Sequence, residues 1–236
     1  MTRAIILAAG RGERMRPLTD DTPKPLLAVR GKPLIAWHLD ALARAGVHEV
    51  VVNTAWLEDR IVAALGDGSR WGLAIRYSME GRDHGGALET AGGIATALPL
   101  LVNDERDVFW VVSGDVFVPG FGFDAGLVPR FIDDRSLAAH LWLVPNPPYH
   151  PRGDFGLGAD GFGTADEPGA DGRRWTYANL ALCRAAVVAG VAPGARAALG
   201  PRLFDGMRRH AITAEVWPGE WHNVGTPAQL AALNAG

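Results

Sequence analysis

Apolar residues in this chain gather in short runs separated by helical stripes. RAIILAA (3–9) is a continuous apolar run suited to a buried strand. PLIAWHLDALARAG (33–46) has apolar residues at 34, 35, 37, 39, 42 and 43, a helical stripe closed by Gly46. HEVVVNT (48–54), LAIRYS (73–78) and DVFWVVSGD (107–115) read as further strands, and LEDRIVAALG (57–66) and TAGGIATALPLL (90–101) as helices. Strict alternation of strand and helix argues for right-handed βαβ units. It predicts an α/β fold: a Rossmann-like open sheet, mainly parallel, with helices on both faces.

After SLAAHLWLV (136–144) the pattern breaks. NPPYHPRGDF and GTADEPGADGRRW carry proline, glycine and charge with no helical stripe, which predicts an irregular insertion or small β layer over the cleft. WTYANLALC (175–183) and AITAEVW (211–217) return as strands, with helices near 195–210 and 227–235, making the sheet mixed. No flexible linker interrupts the chain. Residues 1–236 read as a single domain, with halves at about 1–115 and 116–236.

Composition narrows the class. With 236 residues, 48% hydrophobic and 21% charged, the chain can bury a sizeable core, and its 30 glycines and 16 prolines follow no repeat. The single cysteine, Cys183, excludes an intramolecular disulfide framework and suits a reducing compartment. MTRAIILAAG imitates a signal peptide, but its apolar run is short and arginines follow at once; no run reaches the roughly 18 apolar residues of a membrane span. Net charge is −3, which gives no support to a nucleic-acid partner. Residues 11–32 nonetheless hold six basic residues against three acidic ones. That segment is either a solvated face or an anion site for a small ligand.

The stretch AAGRGERMRP (8–17) tests the second option. A dinucleotide fingerprint fails because Met15 stands where the third glycine would be, and a Walker loop fails because no G-K-S/T follows. A strand-to-loop turn remains, whose glycines let backbone N–H groups approach an anion while arginines share charge-assisted bonds to phosphate oxygens. Ligands of open α/β sheets bind beyond the carboxyl ends of strands, where both this loop and Asp115 fall. In T-P-K-P-L (22–26) two prolines flank Lys24 and are expected to hold it extended, its ammonium projecting toward the same phosphates. His140, His150 and His222 lack metal-ligand spacing, and Trp37, Trp71, Trp110 and Trp142 fall in apolar patterns that indicate core packing.

G-R-G-E-R-M-R-P-L-T followed by T-P-K-P-L resembles the G-x-G-x-R-x-x-P-x-T and P-K-P signature of sugar-1-phosphate nucleotidyltransferases. LETAGGI (88–94), SGDVF (113–117), NPPYHPRGDF (146–155) and WHNVGT (221–226) are similar, in order and spacing, to the N-acetylmuramate-α-1-phosphate uridylyltransferases. The resemblance implies a GT-A-like fold and a cytoplasmic, Mg²⁺-dependent enzyme of peptidoglycan recycling. Its substrates would be UTP and N-acetylmuramic acid α-1-phosphate, its products a UDP-sugar and pyrophosphate. A guanylyltransferase acting on mannose or heptose 1-phosphate is the alternative within the class. A nucleotide-sugar binding or regulatory protein with a degraded metal site is the alternative outside it.

Residue roles follow from the resemblance alone. Ala8, Ala9, Gly10, Arg11, Gly12, Glu13 and Arg14 would form the triphosphate loop, with Lys24 near the α-phosphate and Gly92 and Gly93 beside the base. Arg14, Lys24 and Asp115 would be the catalytic set. Ser113, Asp154 and Asn179 would face the acceptor sugar, although Asp154 is as readily a solvated loop residue. Asp115 and Asn223 would hold Mg²⁺.

Three departures stand out. Ser113 replaces an asparagine of the uridylyltransferases. The Glu-Lys-Pro of larger relatives is Asp166-Glu167-Pro168, leaving Arg152, Arg173 or Arg174 as substitutes or as plain surface charges. The second metal carboxylate, in W-x-D-x-G-T, is Asn223, whose amide oxygen lacks the charge that strengthens binding to a hard cation. Asn223→Asp is therefore expected to lower the Mg²⁺ concentration giving half-maximal rate. An unchanged Mg²⁺ titration would mean that residue 223 is not a ligand.

Overall fold

Register decides the architecture. In a computed structural model, which describes residues 2–103 and 106–235, seven strands form one mixed sheet. They are β1 (Arg3–Leu7), β2 (Glu49–Thr54), β3 (Ala74–Met79), β4 (Val108–Ser113), β5 (Ala139–Val144), β6 (Thr176–Arg184) and β7 (Ile212–Val216), ordered β3-β2-β1-β4-β6-β5-β7. β1 pairs in parallel with β2 on one side and β4 on the other, so Leu7 lies level with Asn53 and Ser113. The strand order reverses at β1, and the three chain exits there open one crevice. β6 alone runs against its neighbours, and β7 is parallel to β5.

Alternate β residues feed two cores. Ala4, Ile6, Val50 and Val52 face a core shared with α1 (Leu34–Arg44) and α2 (Glu58–Leu65), through Ile35, Leu39, Leu42, Ile61 and Leu65. Ile5, Val51, Phe109 and Val111 face the opposite core, shared with α3 (Glu89–Leu101) and α4 (Gly200–Arg208). Helices thus cover both faces, and each core draws on strands from both ends of the sequence. Trp110 and Trp142 are buried in the first core, and Cys183 is buried in the second.

A third, smaller cluster matters more for the crevice. Met15, Val29, Leu34, Phe117, Val224, Leu230 and Leu233 pack together, the last two from α5 (Pro227–Ala235). This ties the loop after β1 to a short ribbon in which Val116–Phe117 pairs antiparallel with His222–Asn223.

Three local expectations change. Lys24 is not extended: Lys24–Leu26 forms a 3-10 turn, because Leu26 and Leu27, which have N–H groups, donate to the carbonyls of Pro23 and Lys24 at 2.8 and 3.1 Å. The helix expected near 195–210 begins only at Gly200, with Pro201 in its first turn, where a missing N–H costs nothing. Short helices at Leu18–Asp21, Glu80–His84 and Leu127–Asp133 have too few turns to leave a period in the sequence. The insertion after β5 is indeed a small β layer. Gly156–Leu157 pairs with Gly163–Thr164, and isolated bridges join Phe155 to Trp175 and Phe162 to Thr213.

Met15 is fully buried in the third cluster. Met15→Ala is expected to lower unfolding free energy by about 2–5 kcal/mol, the range for emptying a buried methionine site. Denaturant titration measures it, and a loss below about 1 kcal/mol would show that the cluster collapses freely around the deletion.

Candidate active site

The loop after β1 is shaped by one left-handed residue. Gly12 has φ 68°, and a β-carbon there would lie 3.1 Å from the Thr19 methyl. Its carbonyl accepts from Met15 N at 2.9 Å, closing the 3-10 turn Glu13–Met15, and from the Thr19 hydroxyl at 2.9 Å.

The three arginines then separate. Arg11 donates to Asp20 and to the Thr19 carbonyl, both at 2.8 Å, and stacks over Trp56. Arg16 pairs with the same Asp20 at 2.8 Å. Arg14 makes no ion pair among the described residues and lines a cavity of about 450 Å³. Of the sequence-predicted loop, Ala8, Ala9, Gly10, Gly12, Glu13 and Arg14 line that cavity and Arg11 does not. Its guanidinium is committed to Asp20, so any contact it makes there is through its backbone.

Lys24 and Asp115 meet across this cavity. The ammonium, on a residue only 8% exposed, is 2.7 Å from Asp115 Oδ2, and the Ser113 hydroxyl donates to Oδ1 at 2.7 Å. Burial alone would raise the Asp115 pKa; the Lys24 charge, with the hydrogen bonds from Lys24 and Ser113, outweighs it and holds the carboxyl below its usual range. Buried His38, its pKa lowered to about 4 by desolvation, is neutral at pH 7, and its Nε2 lies 2.8 Å from the Val116 carbonyl. Because a carbonyl only accepts, the proton is on Nε2.

The far wall rests on a buried amide and carboxyl. Asn53 accepts from Ala8 N at 2.8 Å and donates to Glu80 at 2.6 Å, and the other Glu80 oxygen accepts from Leu88 N at 2.8 Å. Burial raises the Glu80 pKa. Gly93 makes room for this pair, since a β-carbon there would stand 2.5 Å from Glu80 Oε1. Gly92 packs against residues 195–197. Neither glycine lines the cavity; the residues of this segment that do are Ala87, Glu89 and Thr90.

A second cavity, of about 640 Å³, shares Glu89 and Thr90 with the first. Asp154 lines it, with one oxygen 3.0 Å from His150 Nε2 and the other accepting from Tyr177 N at 2.8 Å. Asn179 lines it from a bulge in β6, where Tyr177 pairs with Leu143 but Ala181 already pairs with Leu141. Arg152 and Arg173 do not line either cavity. Arg174 is spent on the carbonyls of Asp154 and Ala165.

Arg196, which no sequence signal marked, enters the first cavity 3.9 Å from Glu89. Tyr149, His150 and Trp221 were also missed. The i, i+4 spacing of His150 and Asp154 within NPPYHPRGDF was the available hint for one of them.

Two oxygens are suited to a hard divalent cation. Asp115 supplies a carboxylate. Asn223 Oδ1 is buried without a hydrogen-bond partner among the described residues, and the backbone joins the two where Val224 N donates to the Asp115 carbonyl at 3.0 Å. Among the described residues no group of three or more His, Cys, Asp or Glu side chains converges, so substrate and water would complete any coordination shell.

Known proteins share this framework. The nucleotidyl transferase family model matches residues 3–156. The N-acetylmuramate alpha-1-phosphate uridylyltransferase of Neisseria meningitidis is 46% identical over 233 residues, covering 99% of this chain and 97% of that protein. The protein of the same name from Caulobacter vibrioides is 34% identical, covering 97% and 94%. A Bacillus anthracis structure described as a glucose-1-phosphate thymidylyltransferase has the same fold, with a TM-score of 0.79 at 21% identity over 100% of this chain and 94% of that one.

A carboxyl with a depressed folded-state pKa stabilises the fold at neutral pH and loses that contribution as pH falls through the folded value. In Lys24→Met the Asp115 carboxyl keeps its burial and loses its cation. Its titration, followed by carboxyl ¹³C NMR, should move from below to above its ordinary value, and the acid-side loss of stability that this carboxyl contributes should disappear, because protonation then relieves an unpaired buried charge. An unmoved titration would show that Lys24 does not set it.

Proposed function

The chain belongs to the nucleotidyl transferase family, in its N-acetylmuramate α-1-phosphate uridylyltransferase group, and from that premise we propose that it condenses UTP with N-acetylmuramic acid α-1-phosphate. One observation carries the reading: two cavities, one lined by Arg14, Lys24 and Arg196 and one lined by Asp154, Asn179 and other polar groups, lie side by side and share Glu89 and Thr90. A sugar phosphate in the second would then lie next to a triphosphate in the first.

A phosphate oxygen of the acceptor attacks the α-phosphorus, the bond from that phosphorus to the bridging oxygen breaks, and pyrophosphate leaves with the electron pair. The nucleophile is already anionic, so no general base is required. Charge is the obstacle. Two unit charges at ~4 Å repel by about 4 kcal/mol at an effective dielectric of about 20. The proposed machinery therefore positions and neutralises. Backbone of residues 8–13 and the unpaired Arg14 hold the triphosphate tail, Lys24 faces the α-phosphate, and Arg196 faces the acceptor phosphate. Asp154 and Asn179 accept and donate hydrogen bonds to the sugar.

Asp115 and Asn223 would hold Mg²⁺, which when bound neutralises phosphate oxygens and favours departure of pyrophosphate. Uridine as the base is supported by the names of relatives similar along nearly the whole chain. The proposal includes a cytoplasmic reaction, where nucleoside triphosphates are supplied, and reuse of cell-wall sugar as the purpose of the product.

Pyrophosphate release should be fastest with UTP and N-acetylmuramic acid α-1-phosphate in a panel of four triphosphates against several sugar 1-phosphates. Asp115→Asn and Lys24→Ala should each lower kcat by about 10²-fold or more, the scale for deleting one preorganised charge partner. Preference for GTP with mannose or heptose 1-phosphate would replace the assignment, and silence across the panel despite tight UTP binding would make the chain a nucleotide-binding protein.

A further inference from the structure

Five described non-glycine residues have left-handed backbone: Arg30, Leu57, Glu89, Asn179 and His210. Local contacts accompany Arg30 and His210, and Leu57 stands at the N-cap of α2. Arg30 turns the hairpin between Ala28–Val29 and Lys32–Pro33 and pairs with Glu220 at 2.6 Å, and His210 stacks on Phe162 with ring centroids 3.6 Å apart. Asn179, at φ 60°, is one of the few residue types whose short polar side chain tolerates this region.

Glu89 has neither excuse. At φ 61° a longer side chain crowds the following carbonyl, where glycine would not. Its carboxylate makes no hydrogen bond among the described residues. Its one ion pair, to Arg196, is long at 3.9 Å and exposed on both sides, at 73% and 48%. Unrepaid backbone strain at a cavity wall points to function. Here the wall is the one both cavities share.

We propose that Glu89 determines acceptor specificity. From that wall its carboxylate accepts hydrogen bonds from hydroxyl or amide N–H donors of the sugar 1-phosphate. Glu89 is thus a contact residue for the sugar, an assignment resting on the reaction proposed above. The competing explanation is purely structural: a carboxylate in the first turn of α3 gains from the helix dipole.

Glu89→Gly and Glu89→Gln in the full chain separate the two. Glycine relieves the strain, so Glu89→Gly should melt no lower than the wild type. With UTP saturating, kcat/KM for N-acetylmuramic acid α-1-phosphate should fall about tenfold or more in both variants, the effect of one lost hydrogen bond to a charged group. KM for UTP should stay within about twofold, because the triphosphate contacts are intact. Without turnover, calorimetric affinity for the UDP-sugar product should weaken by a similar factor while affinity for UTP does not. A lower melting temperature with unchanged acceptor kinetics would leave only the dipole role, and equal losses for UTP and sugar phosphate would remove acceptor specificity; either overturns the proposal. A wild type silent with every sugar 1-phosphate would instead overturn the reaction on which it rests.

Discussion

The ion pair between Lys24 and Asp115 is the constraint on which the rest of the crevice depends. An ammonium that is nearly buried and a partly buried carboxylate are each expensive alone, and removing one leaves the other uncompensated. At 2.7 Å they cancel, with Ser113 taking the second carboxylate oxygen. The pair spans the gap between the loop leaving β1 and the turn leaving β4, so it fixes the two walls at once. His38 holds Val116, the residue after Asp115, and the Met15, Phe117 and Val224 cluster holds the same ribbon from below. Backbone order at Asp115 is therefore set from three directions, and Asn223 inherits its place from the strand pairing.

The loop solves a second electrostatic problem by subtraction. Three arginines within six residues would make a diffuse basic patch. Asp20 instead engages Arg11 and Arg16 together, and Trp56 covers the face of Arg11, which leaves Arg14 as the cation turned into the cavity. A polyanion then meets a single arginine from this loop, beside Lys24 and Arg196, rather than three. A field confined in this way suits the proposed chemistry, in which an attacking phosphate must approach the same centre.

Six of the seven strands and the long helices were legible because each is a local pattern: an apolar run for a buried strand, a 3.6-residue stripe for a helix. The loop chemistry was legible for the same reason, since Gly10 to Lys24 is one continuous stretch. What escaped depends on distance along the chain. Asn53 and Glu80 are typical polar residues until register sets Asn53 beside Leu7. Arg196 sits in an unpatterned loop that the fold returns to Glu89. Gly92 and Gly93 look like part of a glycine-rich nucleotide contact, yet their neighbours are 195–197 and the Asn53–Glu80 pair, so close packing of α3 explains them. Lys24 lines the cavity where it was expected but with a different backbone, because the prolines restrict φ while the donors that close the turn are the two leucines after them.

Asn223 shows how one substitution redistributes the charge of such a site. With a carboxylate at 223 the ribbon would carry two negative charges against the single ammonium of Lys24. With an amide, Asp115 is already neutralised by Lys24 and the ribbon offers one unpartnered oxygen with no charge of its own. Repulsion toward the triphosphate is smaller by one unit charge, and affinity for a free cation is weaker for the same reason. A hard cation with few protein ligands takes the remainder from phosphate oxygens and water. In the proposed reaction, therefore, an amide at 223 would shift the burden of holding Mg²⁺ from the protein to the nucleotide, with the buried Oδ1, which has no hydrogen-bond partner among the described residues, as a neutral acceptor for the cation.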